Sequence, residues 1–264
     1  MIRRLGFGSV LLALALQCSA LHAELLYRSL EQVNGQQRWS QFKRYSPADA
    51  AAGRSGYAEE VRVVLSGEIT RQDLDSAAVM AVLVKDGRQK LSSNSVWFAS
   101  NGGDMDAAMD IGRLLRGMGV TTVVGKDDQC LSACTFAFMG GERRSVAGRL
   151  GIHRPFFPYT QDVPDRLLRY RYLQRTLKGY VEDLDFPVSL YDAVMLVPPE
   201  SMKILTPAEL KVFFLEGISP SSEDLADAAA ARHLGLSMID YLKVKASGST
   251  QKAAVQGGSM GRGK

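Results

Sequence analysis

A serine between two cysteines, a histidine at a strand end and a pair of glycines hold most of the chemistry this sequence can offer. Ser132 sits in Cys130-Leu131-Ser132-Ala133-Cys134, after a loop over 125–129 and at the opening of an apolar helix. There its hydroxyl meets the positive helix end and its unpaired N–H groups. The small Ala133 leaves room for a substrate. Serine is also a good N-cap, and the residues alone leave both roles open. Beyond residue 23 the chain has two histidines. His233, beside Arg232 in a C-terminal helical segment, reads as an exposed structural residue. His153, between Ile152 and Arg154-Pro155, closes a strand and could act as a base. Gly102-Gly103 follows a buried strand and precedes a helix. Glycine N–H groups there can face an oxyanion or simply make a tight turn. Cys130 and Cys134 could pair, because Cys130 falls before the helix starts, or could be two small buried hydrophobes. Two cysteines and a distant histidine lack the ligand set of a zinc site.

Hydrophobic patterning supplies the scaffold for these residues. Val61 to Leu65 reads as a strand, 73–85 as a helix, and Ser95 to Ala99 as a buried strand broken by Asn101-Gly102-Gly103. A helix over 104–118 is capped by Gly119, a third strand spans 121–124, an apolar helix spans 131–139, and a short strand spans 150–153. This alternation implies parallel strands with crossover helices, and the unbroken apolar runs suit strands covered on both faces. A long helix over 165–184 follows, with Tyr170, Leu173, Leu177, Tyr180 and Leu184 as its apolar stripe. Its other face carries Arg166, Arg169, Arg171, Arg175 and Lys178. That face reads as solvated, the alternative being a dock for acidic peptide or lipid headgroups. Thr206-Pro207-Ala208-Glu209 is a capping box, and 224–245 reads as a last amphipathic helix.

The ends read differently. Arg3 and Arg4, an apolar run from Leu5 to Leu16 and small residues near Ala20 and Ala23 form an export signal over 1–23, too short to span a membrane. The mature chain is then expected in a periplasm or secreted. Disulfides are permitted there, and nucleoside triphosphates and coenzyme A are not expected. Residues 24–60 read as an N-terminal arm and linker: a short strand at Leu25, Leu26 and Tyr27 and a turn at Asn34-Gly35 suggest a hairpin or a loosely attached arm, and Ala50 to Ser55 a linker. Residues 246–264 are rich in Gly, Ser, Ala, Gln and Lys and read as a disordered tail. A length of 264 residues suits one or two domains with a sizeable core. The formal charge of +4 falls to about +2 once Arg3 and Arg4 are removed, too weak to argue for nucleic acid.

Taken in order, the strand, Asn101-Gly102-Gly103-Asp104, the helix, the strand, Cys130-Leu131-Ser132-Ala133-Cys134, the helix and Gly151-Ile152-His153-Arg154-Pro155 resemble the peptidase subunit of the Clp protease. They also resemble the wider crotonase fold and, within that group, exported Clp-peptidase-like proteins. Val61 to Gly67 and the segment from Lys203 to Ile218 extend the likeness over 61–218, followed by a C-terminal helix over 219–245. The resemblance implies an α/β fold with a repeated β-β-α, parallel-sheet core and C-terminal helices. It matches Ser132 to a nucleophile, His153 to its general base and the N–H groups at Gly102, Gly103 and Ala133 to an oxyanion hole. It implies an ATP-independent serine hydrolase, expected to be a peptidase acting on peptide or other ester or amide substrates. No cofactor and no metal are called for, and a homo-oligomer is implied; in the family's rings the long helix after the histidine makes subunit contacts, and here the Tyr170–Leu184 stripe either does so or buries itself in its own chain. The family's aspartate lies just before the segment matching Lys203, where this chain has Met202. Glu200 is the first candidate substitute and Asp192 the second. A Ser–His dyad without an acid, or a binding protein that has lost catalysis on the same fold, are the alternatives. An acyl-CoA enzyme of the crotonase kind is a third reading, disfavoured by export.

Overall fold

The computed structural model describes residues 24–34, 36–46, 48, 50, 52, 60–157 and 165–257, without side chains at 24, 30, 32 and 248–257. The expected signal over 1–23 and most of the expected linker lie outside the described residues.

Alternating burial builds the sheet from its centre. In β4 (Glu60–Ile69), Val61, Val63 and Leu65 are buried while Arg62, Val64 and Ser66 point the other way. β4 runs parallel to β5 (Lys90–Gly103), a strand long enough to serve two branches. Its middle, Ser95 to Trp97, pairs with β6 (Thr121–Val124), and its Ser100 pairs with β7 (Gln129–Leu131). β6 continues to β8 (Arg143–Val146) and β7 to β9 (Arg149–Ile152), all parallel. Antiparallel strands finish the edges. β10 (Lys203–Ile204) pairs with β9, β11 (Gly217–Ile218) with β8, and β1 (Glu24–Val33) with β4. β2 (Gln36–Trp39) and β3 (Lys43–Arg44) add to β1. The fold class is the expected α/β, with a largely parallel sheet and C-terminal helices.

Helices supply the rest of the core. α1 (Arg71–Lys85) starts at a capping box formed by Thr70 and Asp73. α2 (Met105–Met118) is capped by Asp104, which accepts from the Ala107 N–H at 2.8 Å, and ends on left-handed Gly119. α3 (Ala133–Met139) is buried along its whole length. Met80, Met109, Leu115 and Phe136 join Leu65 and Phe98 in one core. α4 (Arg166–Asp183), α5 (Val188–Leu196), α6 (Pro207–Val212), α7 (Pro220–His233) and α8 (Met238–Gly257) complete the order. Among the described residues no helix is long and apolar enough to cross a membrane.

Several expectations change or are decided. Of the two readings of the N-terminal segment, the hairpin holds and the loosely attached arm does not: β1 pairs antiparallel with β2. Leu25 and Tyr27 are buried because β1 pairs with β4 along six residues from Glu24 to Ser29. The helix expected from Leu131 begins at Ala133, because Gln129 to Leu131 pair as β7. Burial alternates in β4 and β6, so the strands are not all covered on both faces, as β9 is. The last helix is two, broken at Leu234-Gly235, where Gly235 takes a φ of 66°. The expected tail is helical as far as Gly257. On α4 and at its C-cap, Leu173, Leu177, Tyr180 and Leu184 are buried in their own chain, the second of the two uses open to the stripe, while Tyr170 stays half-buried.

Candidate active site

Ser132 occupies a sharp turn between β7 and α3, with φ 56° and ψ −128°. A non-glycine residue in such a region costs roughly 1–3 kcal/mol and persists only where its surroundings impose it. They do so here from several sides. The Ser132 N–H donates to the Gly151 carbonyl at 2.9 Å, and the Thr135 hydroxyl donates to the same carbonyl at 2.9 Å. Gly102 presses on the turn from β5. A Cβ there would stand 2.8 Å from the Ser132 Cβ and 2.9 Å from the Leu131 carbonyl oxygen. Cys130, the middle residue of β7, and Cys134, in the first turn of α3, are joined by a disulfide with Cα atoms 5.2 Å apart. The strand–turn–helix geometry is that of a nucleophile elbow.

The N-cap role left open for Ser132 is not taken, since its side chain makes no cap hydrogen bond. Its Oγ lies 2.6 Å from His153 Nε2 instead. His153 Nδ1 lies 3.0 Å from the carbonyl oxygen of Arg154. A carbonyl only accepts, so Nδ1 carries the hydrogen and Nε2 is left to accept from the serine hydroxyl. This is the tautomer a base for Ser132 requires. The imidazole is buried, and burial pushes its pKa below the usual histidine value, opposed by the bond to Arg154.

No carboxylate among the described residues bonds to His153. Glu200 is exposed and lines a separate cavity with Arg154, Phe157 and Tyr170. Asp192 is exposed on α5. Neither candidate acid is brought to the imidazole, because the short β10 is what approaches it. β10 sets Lys203 opposite Ile152, which leaves Met202 one residue beyond the ladder on the His153 side. A thioether with no charge stands there, and a main-chain carbonyl holds Nδ1.

Ser132 and His153 open into a cavity of about 490 Å³. Gly103 and Ala133 line it, with Phe136, Leu173, Met105 and Phe156 as apolar walls. Ala133 is the first residue of α3, so its N–H has no acceptor within the helix. Gly102 departs from the expected oxyanion role. Its N–H donates to the Ser100 hydroxyl at 3.1 Å, and its own part is to let β5 approach the elbow. His233 is exposed at the end of α7, away from this site.

Charged residues from three helices and their caps gather at the cavity. Arg71 on α1 approaches Asp104, Asp106 and Asp110 at 3.6–3.8 Å. The Asp106 carboxyl is pushed up by burial and by Asp104, with Arg71 opposing. Arg169 lines the cavity from α4 and sits 6.0 Å from the Phe157 ring centroid, and Arg166 donates to the Phe157 carbonyl at 3.0 Å. That end of the basic face of α4 is therefore not purely solvated. Arg169 belongs to the basic face read on the long helix and Asp104 to the Asn101-Gly102-Gly103-Asp104 motif, whereas Arg71 and Asp106 carried no local signal, because packing alone brings their helices together.

No family model matches the chain, and no curated protein matches it. Solved structures do. ClpP1 from Listeria monocytogenes is 16% identical with a TM-score of 0.45, over 59% of this chain and 88% of that one. A mutant of the 1510-N membrane-bound stomatin-specific protease is 15% identical with a TM-score of 0.44, over 58% of this chain and 75% of that one. The chemistry of this chain is read from its own geometry.

Proposed function

We propose that the chain is a serine hydrolase that cleaves peptide bonds or related esters and amides, with Ser132 as nucleophile and His153 as general base. The observation that carries this reading is the 2.6 Å contact between Ser132 Oγ and His153 Nε2 at a strained elbow that opens into a cavity. As Oγ attacks the substrate carbonyl, its proton passes to Nε2, a transfer worth roughly 10²–10⁴-fold. The N–H groups of Gly103 and Ala133 receive the developing oxyanion. The proton then goes to the leaving amine or alcohol, and water attacks the acyl-enzyme by the same route. The Arg154 carbonyl holds the imidazole tautomer in the place of an acid. A neutral acceptor stabilises the imidazolium less than a carboxylate does, so turnover is slower than that of a full triad.

The reading includes export by the 1–23 leader, hence action without ATP, and self-association through the side of α4 where Leu167, Leu168 and Tyr172 remain exposed. A second reading, a binding protein on the same fold, is favoured by Met202 standing where the acid is missing. A fluorophosphonate probe separates the two. Attack by Ser132 Oγ forms the oxygen–phosphorus bond, fluoride leaves, and the proton goes to His153. The hydrolase predicts labelling of purified protein that disappears in Ser132→Ala and His153→Ala. No labelling of folded protein moves the weight to the binding protein.

A further inference from the structure

We infer that the Cys130–Cys134 disulfide is a positioning brace for the nucleophile, so that the reactivity of Ser132 depends on it. This rests on the reading of Ser132 as an activated serine.

The bond closes over the one segment whose conformation the chemistry needs. Cys130 is fixed on one side by its place in β7, paired with both Ser100 of β5 and Leu150 of β9. Cys134 is fixed on the other side by α3, and both cysteines are fully buried. Between them Leu131 and Ala133 flank a serine at φ 56°. The bracket thus ties the end of a strand to the first turn of a helix at the separation where Ser132 must turn. The remaining restraints on the turn are the two hydrogen bonds to the Gly151 carbonyl, the Thr135 N–H donating to the Ser132 carbonyl at 3.0 Å, the Thr135 hydroxyl 3.5 Å from the Cys130 carbonyl, and the steric press of Gly102. These are non-covalent, and the only one that runs directly from the start of α3 to Cys130 is the long 3.5 Å contact of the Thr135 hydroxyl, so the disulfide is the one covalent tie across the turn. Without the bond, Ser132 is free to relax toward the N-cap conformation that serine ordinarily takes at a helix start. Its Oγ would then donate less of its time to His153. The brace matters more in this site than it would beside a full triad, because the carbonyl on Nδ1 gives the dyad little electrostatic reserve.

The test uses saturation kinetics of the fluorophosphonate probe on the full chain, separating the limiting labelling rate from the probe's apparent affinity. In the Cys130→Ala/Cys134→Ala double variant the limiting rate is expected to fall by about fivefold to 150-fold. That is the factor to which strain of this class corresponds at 1.36 kcal/mol per tenfold. Apparent affinity and the fraction finally labelled are expected to stay near wild type. A purely stabilising disulfide would instead lower the melting temperature and leave the limiting rate unchanged. A second arm covers a variant that fails to fold. Wild-type protein is reduced with a water-soluble phosphine, which takes oxygen from water to become its oxide and leaves two thiols. After its removal the limiting rate should be low, and reoxidation with glutathione disulfide should restore it. An equal limiting rate with and without the bond overturns the brace alone. No labelling of the oxidised protein overturns both the brace and the hydrolase reading.

Discussion

Replacing Gly102 by alanine tests whether the close approach of β5 shapes the elbow. Gly102 has a φ of 109°, and an added Cβ would lie 2.8 Å from the Ser132 Cβ, 2.9 Å from the Leu131 oxygen and 3.1 Å from the Ala133 nitrogen. All three neighbours belong to consecutive residues of the elbow, and two of them are main-chain atoms that cannot swing aside. Ordinary contact begins near 3.4 Å, so the elbow must move by about 0.6 Å. Alanine at this φ costs roughly 1–3 kcal/mol and the overpacking roughly another 1–3. A displacement of 1 Å in a catalytic group can cost about 100-fold, so a shift of about 0.6 Å should slow labelling of Ser132 by about tenfold or more. Gly87→Ala is the control. Its φ is 68° and nothing lies within 4 Å of the added atom, so it carries the conformational cost of about 1–2 kcal/mol without touching the site. The assay pairs thermal unfolding with the limiting rate of fluorophosphonate labelling. If Gly102→Ala folds and labels at the rate of Gly87→Ala, the approach of β5 does not position the nucleophile and the reasoning fails.

Other outcomes follow from the same geometry. Burial lowers the His153 pKa, so the acid limb of the labelling rate should have its midpoint below about 6.5, the ordinary histidine value. The folded state binds that proton more weakly than the unfolded chain, so the associated stability is whole above about pH 6.5 and is lost as pH falls toward the folded value; a midpoint above 6.5 would contradict this. Met202→Asp places a carboxylate on the His153 side of β10 and should move the same midpoint upward, because a negative neighbour favours the imidazolium; an unmoved midpoint would show that this position does not face the imidazole. Tyr180 donates its buried hydroxyl to the Phe136 carbonyl at 2.6 Å, and Tyr180→Phe should cost roughly 1–3 kcal/mol in denaturant unfolding while labelling stays near wild type.

Local signals in the sequence were sufficient where one segment's own residues decide the outcome. The valine-rich run from Val61 to Leu65, the glycine closing 105–118 and the capping box at Thr206 each encode their element within a few positions, although the run did not say which faces the strand would bury. The candidate pair Ser132 and His153 was not legible from either segment alone, since a serine at a helix start is also an ordinary N-cap; the order of motifs and the resemblance it carries singled them out. Only the tertiary structure decided how that pair is held. The order of pairing made Gln129 to Leu131 a strand, which turned an expected helix start into an elbow. The register of β10 against β9 set Met202 rather than Glu200 or Asp192 on the His153 side, and the imidazole took the nearest main-chain acceptor, the Arg154 carbonyl. Ser100 claimed the N–H of Gly102, a use that no glycine pair announces in its sequence. Propensity and hydrophobic period act over a few residues and are written locally. Strand register and hydrogen-bond partnership are settled between segments far apart in the chain, so they exist only once the chain has packed.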